Sequence, residues 1–259
     1  MIYEKISLKK FNTFGINVRA DHLAAFKLED NAVHFFRQRS GTEQNYLVLG
    51  GGSNILFTDD FHGTIIYPEM EGIAMEGKKG ADIVISAGAG VLWDKLVEST
   101  VKNGLGGLEN LSLIPGRVGA VAVQNIGAYG AEVKDVIEKV RAISLADGSI
   151  REFSCDECKF GYRDSVFKNE LKGKYLITKI LFRLSTRPKL CLEYGSLKDE
   201  LSKLGSTSLA NIRKIVISTR QAKLPDPEHI GNAGSFFKNP VVSDEVLKNI
   251  QKNFPQIPV

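Results

Sequence analysis

A run of glycines followed by two small polar residues is the first segment with the composition of a ligand site. It reads Gly50-Gly51-Gly52-Ser53-Asn54 and directly follows the β-favouring run Tyr46 to Leu49. Glycine tolerates positive φ and close approach, so N–H groups in such a run can surround an anion, and Ser53 and Asn54 add side-chain donors. The run lacks the third glycine of a dinucleotide fingerprint and the Gly-Lys-Ser/Thr of a P-loop. It predicts a pyrophosphate cradle, with a tight turn between strands as the alternative.

A second segment, rich in Gly, Ala and Asn, extends from Gly106 to Gly130 and includes the string Gln124 to Gly130. Small residues bury little apolar area, so this segment suits a backbone lying flat against a planar ligand better than it suits a core. Backbone donors there can reach ring heteroatoms, and Ile114 or Ile126 can cover a ring face. These properties fit an isoalloxazine ring. A long irregular loop without a ligand is the alternative.

Two later residues have the chemistry of a reaction site. Arg163 lies among aromatic residues and can hold a carboxylate with two parallel hydrogen bonds, although a salt bridge to Asp164 or another local acid is the simpler interpretation. Ser235 is surrounded by small residues and followed by Phe236 and Phe237, which are expected to exclude water. A serine can protonate a carbanion if nearby cations or amides stabilise the alkoxide. A helix cap or a plain turn is the alternative.

The elements that position these residues alternate irregularly, which predicts an α+β fold. Asp30 is a candidate N-cap for a helix that continues through Arg39 and ends at Gly41. The closely spaced Pro225 and Pro227 predict a linker or a domain edge. Further strands are predicted at 46–49, 64–67, 83–85, 138–145 and 176–184, and further helices at 91–103 and 209–223.

Composition excludes several classes of protein. The hydrophobic fraction of 43% is that of a globular chain, and the net charge of +4 is too small and scattered to indicate a nucleic-acid partner. No apolar run is long enough to cross a bilayer, and the first residues lack the apolar core of a secretory signal. A soluble cytoplasmic protein is therefore expected.

The cysteines and histidines do not predict a metal site. Cys155 and Cys158 form a C-x-x-C pair, but Cys191 and the four histidines supply no second ligand pair at close spacing. Without a secretory signal, reduced and inert thiols are expected. A redox dithiol is the alternative.

Taken together and in order, these segments resemble the UDP-N-acetylenolpyruvoylglucosamine reductase family, and they match its first subtype. Each string is weak alone, whereas their ordered occurrence over nearly the whole chain is specific. The matching strings are Asn12 to Gly15, Leu49 to Asn54, Gly107 to Gly130, Gly161 to Lys168, Leu192 to Gly195, Lys223 to Pro227 and Gly231 to Pro240.

The resemblance implies an α+β protein with a two-part FAD-binding domain of the vanillyl-alcohol-oxidase type, at 1–68 and 69–223. A substrate-binding α+β unit would begin at 224–259. It also implies non-covalent FAD, NADPH as the hydride donor, and reduction of the enolpyruvyl double bond of a UDP-sugar in peptidoglycan precursor synthesis. A monomer is expected.

Site residues carried over from the family fall into three groups. Arg163 would stabilise charge on the substrate carboxylate, and Ser235 would donate the proton. Substrate contacts would come from Tyr129, Tyr194, Lys223 and Asn239. Cofactor contacts would come from Gly50, Gly51, Gly52, Ser53, Asn54, Ser112, Pro115, Gly116, Gly119, Gln124, Asn125, Gly127, Ala128 and Arg220.

One feature of the family has no match here. Its further catalytic glutamate lies near the C-terminus, and this sequence contains no corresponding segment, which predicts a chain truncated at that end. Two rival functions stay open. Another flavin oxidoreductase of this fold, with FAD tethered through histidine, is disfavoured because His22, His34, His62 and His229 lie outside the glycine segments. A non-catalytic nucleotide-binding relative is the other.

Overall fold

A computed structural model of the chain describes residues 1–42, 44–195 and 197–257. Within these ranges the strands are β1 (Ile2–Ser7), β2 (Arg19–Phe26), β3 (Tyr46–Val48), β4 (Phe61–Pro68), β5 (Ile73–Lys79), β6 (Asp82–Gly88), β7 (Gly127–Ala128), β8 (Ala131–Glu132), β9 (Ile137–Ser144), β10 (Ile150–Ser154) and β11 (Tyr175–Ser185). The helices are α1 (Glu29–Arg37), α2 (Trp93–Lys102), α3 (Val118–Val121), α4 (Leu197–Lys203), α5 (Leu209–Lys223) and α6 (Asp244–Asn253). Helices and strands are interspersed without strict alternation.

The first sheet has the strand order β1-β2-β4-β3. β1 and β2 are antiparallel, whereas β4 runs parallel to both β2 and β3. Parallel neighbours cannot be joined by a tight hairpin, so residues 49–60 form a crossover between β3 and β4. The run Gly50–Asn54 lies in this crossover, just beyond the carboxyl end of β3. Ligands commonly bind beyond that end of parallel strands.

The second sheet, with the order β10-β9-β11-β6-β5, is antiparallel throughout. Helix α2 packs against it through an apolar stripe that includes the fully buried Trp93. The ring centroids of Trp93 and Phe182 on β11 are 6.0 Å apart. The indole N–H of Trp93 donates to the carbonyl of Leu111 at 2.8 Å. This bond attaches the second glycine-rich segment to the core of the sheet.

An apolar cluster and an ion pair join the two sheets. The cluster takes residues from both: Ala24, Phe26, Ala32, Val33, Phe35, Phe36, Ile66, Met70, Ile143, Leu145 and Leu176. Beside it, Glu29 at the start of α1 accepts hydrogen bonds from Arg141 Nε at 3.0 Å and from Thr178 Oγ1 at 2.6 Å. Arg141 lies on β9 and Thr178 on β11. The joint therefore fixes the first sheet relative to the second.

The structure confirms the predicted α+β class and most of the predicted elements, with one wrong cap. The first helix begins at Glu29, with Leu28 at the N-cap, so Asp30 is inside the first turn. An acidic residue there stabilises the helix dipole without capping a backbone N–H. Sequence patterns missed β1, β2, β5, β7, β8 and β10 and the helices α3, α4 and α6. In β1, β5 and β10, charged residues interrupt the apolar pattern.

The C-terminal part has less core of its own. Helix α5 is capped by Ser208, whose hydroxyl accepts from the N–H of Asn211 at 3.2 Å, and it ends at Lys223, two residues before Pro225. Helix α6 has no buried residue. The boundaries proposed at 68/69 and 223/224 stay predictions, and Pro258 and Val259 of the third unit lie outside the described residues. Among the residues that are described, no helix has the length and apolarity that crossing a membrane requires.

Replacing Glu29 by Gln is expected to lower the free energy of unfolding by about 1–3 kcal/mol at pH 7, because charge-assisted hydrogen bonds are lost. Burial alone would raise the pKa of Glu29, but the hydrogen bonds from Arg141 and Thr178 outweigh burial and hold that pKa below its ordinary value. The stabilisation is thus present above the unfolded-state pKa of about 4.3 and lost as pH falls through the lower folded-state pKa. Urea titrations at pH 7 and at successively lower pH should show that the difference in free energy of unfolding between wild type and variant becomes smaller.

The matched control is Glu170→Gln. Glu170 accepts from Lys159 at 2.9 Å, but its side chain is 64% exposed, so the loss should stay below about 1 kcal/mol. The role assigned to Glu29 would be contradicted if the two variants lost equal free energy of unfolding. It would also be contradicted if the difference between wild type and Glu29→Gln did not change with pH.

Candidate functional site

The two glycine-rich segments lie directly against each other. A Cβ added to Gly51 would come within 2.7 Å of the Cα of Gly116, so only glycine permits this approach. Ser53 Oγ donates to the carbonyl of Pro115 at 3.0 Å, and Asn54 Nδ2 donates to Gln124 Oε1 at 2.6 Å. Residues from both predicted cofactor segments are therefore brought together.

The backbone of the first segment has free donors. In the part of the chain that the structure describes, the N–H groups of Gly50 to Asn54 donate no hydrogen bond to any protein acceptor. Gly52 has φ +62, and a Cβ there would collide with the backbone of Phe11 and Asn12. Successive N–H groups around a left-handed residue form a concave anion site. This run therefore fits the pyrophosphate of a dinucleotide such as FAD, because its donors need an external acceptor.

Two predicted cofactor residues use their side chains inside the protein. The hydroxyl of Ser112 is fully buried and donates to the carbonyl of Glu109 at 2.6 Å. The amide of Asn125, also fully buried, donates to the carbonyl of Gly161 at 2.8 Å and accepts from the N–H of Lys134 at 3.1 Å. These side chains shape the loops, so a cofactor contact at either residue would involve its backbone.

Three further predicted cofactor residues, Gly119, Gly127 and Ala128, also lie in the second glycine segment. Gly119 is at the start of α3, where its N–H donates to the carbonyl of Ala89 at 3.0 Å. A Cβ on Gly119 would come within 2.7 Å of the Ala89 side chain, so glycine is required for this packing too. Gly127 and Ala128 form the first strand of the small β7–β8 hairpin and are half-buried.

Arg163 is held by the second glycine segment. It lies in a tight hairpin between Gly161 and Asp164 with φ 54, and its Nη2 donates to the carbonyl of Gly127. Its guanidinium lies 5.3 Å from the centroid of the Tyr162 ring. The alternative of a salt bridge to Asp164 does not occur, because Asp164 instead accepts from Asn169 at 2.9 Å. The guanidinium is thus oriented by a carbonyl of the second glycine segment.

Thr13 ties the Ser235 loop to the first glycine segment. Its N–H donates to the carbonyl of Gly52 at 3.1 Å. Its hydroxyl donates to the carbonyl of Asn232 at 2.6 Å, and the N–H of Asn232 donates back to the Thr13 carbonyl at 3.1 Å. One residue of the N-terminal segment thereby links a crossover in the first sheet to a loop more than two hundred residues later.

Ser235 and Arg163 lie on segments that meet at Tyr162. Lys238 Nζ, from the Ser235 loop, is 5.3 Å from the Tyr162 ring centroid, which Arg163 also contacts. Ser235 is exposed, and its hydroxyl has no partner within the described residues. The expectation that phenylalanines exclude water there is wrong for Phe237, which is 88% exposed, and Phe236, against which it packs edge to face, is itself 39% exposed.

The predicted substrate residues fall into two sets. Tyr129 and Tyr194 form an edge-to-face pair with ring centroids 5.9 Å apart. Beside them, Arg220 Nε donates to the carbonyl of Leu113 at 3.2 Å, and burial lowers the pKa of Arg220. Lys223 and Asn239 are exposed, and in the described part of the chain their side chains contact no other predicted site residue by hydrogen bond. The structure therefore groups the two tyrosines with Arg220.

Sequence reasoning missed three residues that support this site. Thr13 was part of a matching string but had no assigned role. Asp94 accepts from both Arg213 and the N–H of Leu113, which connects α2, α5 and the second glycine segment. Asn110 is buried and donates to two loop carbonyls. A buried polar residue inside a glycine-rich string is the signal that points to such a role.

The C-x-x-C pair has the properties of inert thiols. Cys158 is fully buried, and burial raises the pKa of its thiol to about 12. Burial also raises the pKa of Cys155. A thiolate is the reactive form, so neither residue is activated at neutral pH.

Comparisons with known proteins agree with this geometry. Residues 22–154 match the family described as an FAD binding domain. A UDP-N-acetylenolpyruvoylglucosamine reductase from Bacteroides fragilis is 45% identical over 258 residues, which cover 98% of this chain and 76% of that protein. The reductase of the same name from Pseudomonas aeruginosa is 41% identical over 261 residues, with 99% and 76% covered.

Solved structures match the fold. The UDP-N-acetylenolpyruvylglucosamine reductase from Thermus caldophilus superposes with a TM-score of 0.69 at 24% identity, over 96% of this chain and 80% of that one. A solvent-stable cholesterol oxidase gives 0.53 at 15% identity, over 72% and 38%. These likenesses concern the fold alone, and together with the FAD binding domain match they agree with the predicted fold class.

Sequence identity extends over nearly the whole chain, and the matched region carries both glycine segments and the Arg163 hairpin. With the fold in agreement, the chain belongs to the UDP-N-acetylenolpyruvoylglucosamine reductase family.

Proposed function

We propose that this chain binds FAD without a covalent bond and uses NADPH to reduce the enolpyruvyl double bond of UDP-N-acetylglucosamine enolpyruvate. The product would be UDP-N-acetylmuramate, a peptidoglycan precursor. The observation that carries the proposal is the contact between the two glycine segments, which leaves a run of backbone donors free. Membership of the reductase family supports the choice of substrate.

The geometry supports a specific set of residues as the ones that would hold FAD. The N–H groups of Gly50 to Asn54 would bind the pyrophosphate, with Gly116 close behind. The small residues from Gln124 to Ala128 would lie along the flavin ring, and Arg220 would lie near it. When bound, FAD supplies hydride acceptance from NADPH and hydride donation to the substrate.

Arg163 would act on the substrate carboxylate. Addition of hydride to the terminal carbon of the enolpyruvyl group leaves a pair of electrons that spreads into the carboxylate. A fixed guanidinium aimed at that developing charge lowers the barrier, most strongly in a site that excludes water. The bond from Arg163 to the Gly127 carbonyl fixes the guanidinium beside the flavin segment.

Ser235 would donate the proton that completes the reduction. Its hydroxyl proton would pass to the carbon next to the carboxylate, and a cation must stabilise the alkoxide that is left. Lys238 lies three residues further along, at the Tyr162 ring. It supplies a positive charge on the same loop.

The sugar nucleotide would occupy the face formed by the tyrosine pair. Tyr129 and Tyr194 offer aromatic surface to the nucleotide, and Lys223 and Asn239 would contact the diphosphate and uridine. We propose a cytoplasmic monomer acting in cell-wall synthesis, and therefore in cell shape and division, with residues 1–68, 69–223 and 224 onward as its units.

The cofactor assignment predicts a yellow protein whose flavin leaves the polypeptide on denaturation. Gly51→Ala should lose most of its flavin, because the added Cβ pushes the two glycine segments apart. Gly77→Ala is the matched control, since nothing lies within 4 Å of its added Cβ. Absorbance near 450 nm per polypeptide measures occupancy. Flavin that stays attached after denaturation, or equal occupancy in both variants, would argue against this assignment.

Removing the Ser235 hydroxyl separates the two half-reactions. Ser235→Ala should leave flavin reduction by NADPH largely intact and slow flavin oxidation by the enolpyruvyl sugar nucleotide by about a hundredfold or more, the scale of a lost general acid. Stopped-flow absorbance follows both steps. Equal slowing of the two steps would remove Ser235 from proton donation. A wild-type chain that never oxidises NADPH with this substrate would support the non-catalytic alternative.

A further inference from the structure

Asn110 is a buried amide that bonds to two separate loops. Only 2% of its surface is exposed. Its Nδ2 donates at 2.8 Å to the carbonyl of Tyr129 and at 2.8 Å to the carbonyl of Cys191. Both N–H donors of the amide are thereby used. Asn110 itself lies next to Leu111, whose carbonyl is bonded to the core residue Trp93, so the amide projects from a rigid base.

The two loops joined by Asn110 carry the tyrosine pair. Tyr129 bears the first ring, and Tyr194 lies three residues beyond Cys191. A Cβ on Gly130 would lie 2.8 Å from Cys191 Sγ and 3.5 Å from the Cβ of Tyr194, so the later loop rests directly on the β7–β8 turn. This close contact restricts movement of the two loops relative to each other.

A small apolar cluster supports the same junction from the other side. Its buried members come from α4 and α5, and its partly buried members come from the two loops and, for Ile215, from α5. They are Leu197, Leu201, Ile212 and Val216, with Tyr129, Leu190, Leu192 and Ile215 packed against them. Since the cluster is small, its packing alone is a weak restraint on the loop around Tyr194, and the amide bonds of Asn110 are the specific one.

We propose that Asn110 is a positioning residue that holds Tyr129 and Tyr194 as one face of the uridine-nucleotide site. The inference rests on the proposed function, because it assigns the nucleotide to that face. Loss of the amide leaves the part-buried Cys191 carbonyl without its Asn110 donor. The Tyr129 carbonyl keeps only the weak contact from the Cys191 thiol at 3.8 Å. The loop between Cys191 and Tyr194 then shifts so that its carbonyl can bond to water. Nucleotide affinity then falls, while the flavin segments keep their contact.

The test is calorimetric titration of the flavin-loaded protein with UDP. Asn110→Ala should raise the Kd for UDP about tenfold or more, the effect of losing two hydrogen bonds. Flavin content and reduction by dithionite should be unchanged. In a Tyr194→Ala background the same substitution should add less than about twofold, because the two residues act on one contact. If Asn110→Ala loses flavin, Asn110→Ser, which keeps one hydroxyl donor, replaces it.

The matched control is Asn103→Ala, since Asn103 Nδ2 donates at 2.8 Å to the Ser99 carbonyl on the exposed end of α2. It should bind UDP as wild type does. Unchanged UDP affinity in Asn110→Ala, or effects of Asn110 and Tyr194 that multiply independently, would overturn the inference. A wild-type chain that binds UDP but does not oxidise NADPH with the enolpyruvyl sugar would overturn the proposed reaction alone. The UDP affinities of wild type and Asn110→Ala would then still test the positioning role of Asn110. A wild-type chain that does not bind UDP would overturn both.

Discussion

The close approach of Gly51 to Gly116 is the contact on which the site depends. The two loop segments can touch backbone to backbone because Gly51 carries no Cβ, which would come within 2.7 Å of the Gly116 Cα. Their contact positions the free N–H groups of Gly50 to Asn54 beside the small residues that follow Gln124. Without it, the free N–H groups of the first glycine segment and the small residues of the second would be unrelated features.

Several longer-range contacts hold the two glycine segments in this arrangement. The Glu29 ion pair and the shared apolar cluster set the two sheets, while Trp93 fixes the second segment through Leu111. Thr13 brings the Ser235 loop to the back of the first segment. Arg163 is set by the Gly127 carbonyl. The proposed cofactor residues and the proposed reaction residues are therefore connected by one set of contacts.

The sequence was informative where local pattern decides structure. The strand ending at Leu49, helix α5 with its stop at Pro225, and the glycine segments could all be predicted, because periodicity and turn chemistry act over short distances. Strands β1 and β2 lacked a clear pattern, since pairing rather than propensity defines them. The roles of Thr13 and Asn110 depend on partners remote in sequence, and the exposure of Phe237 depends on what packs over it.

Amide hydrogen exchange of the Gly50 to Asn54 peptide, with and without FAD, tests most directly whether those N–H groups hold the cofactor. The account predicts marked slowing of exchange in this peptide when FAD is bound, because each donor then gains an acceptor. A peptide from the central strand β11 should exchange equally in both states and serves as the internal reference. Exchange at Gly50 to Asn54 that stays fast in the FAD-bound protein would contradict the account.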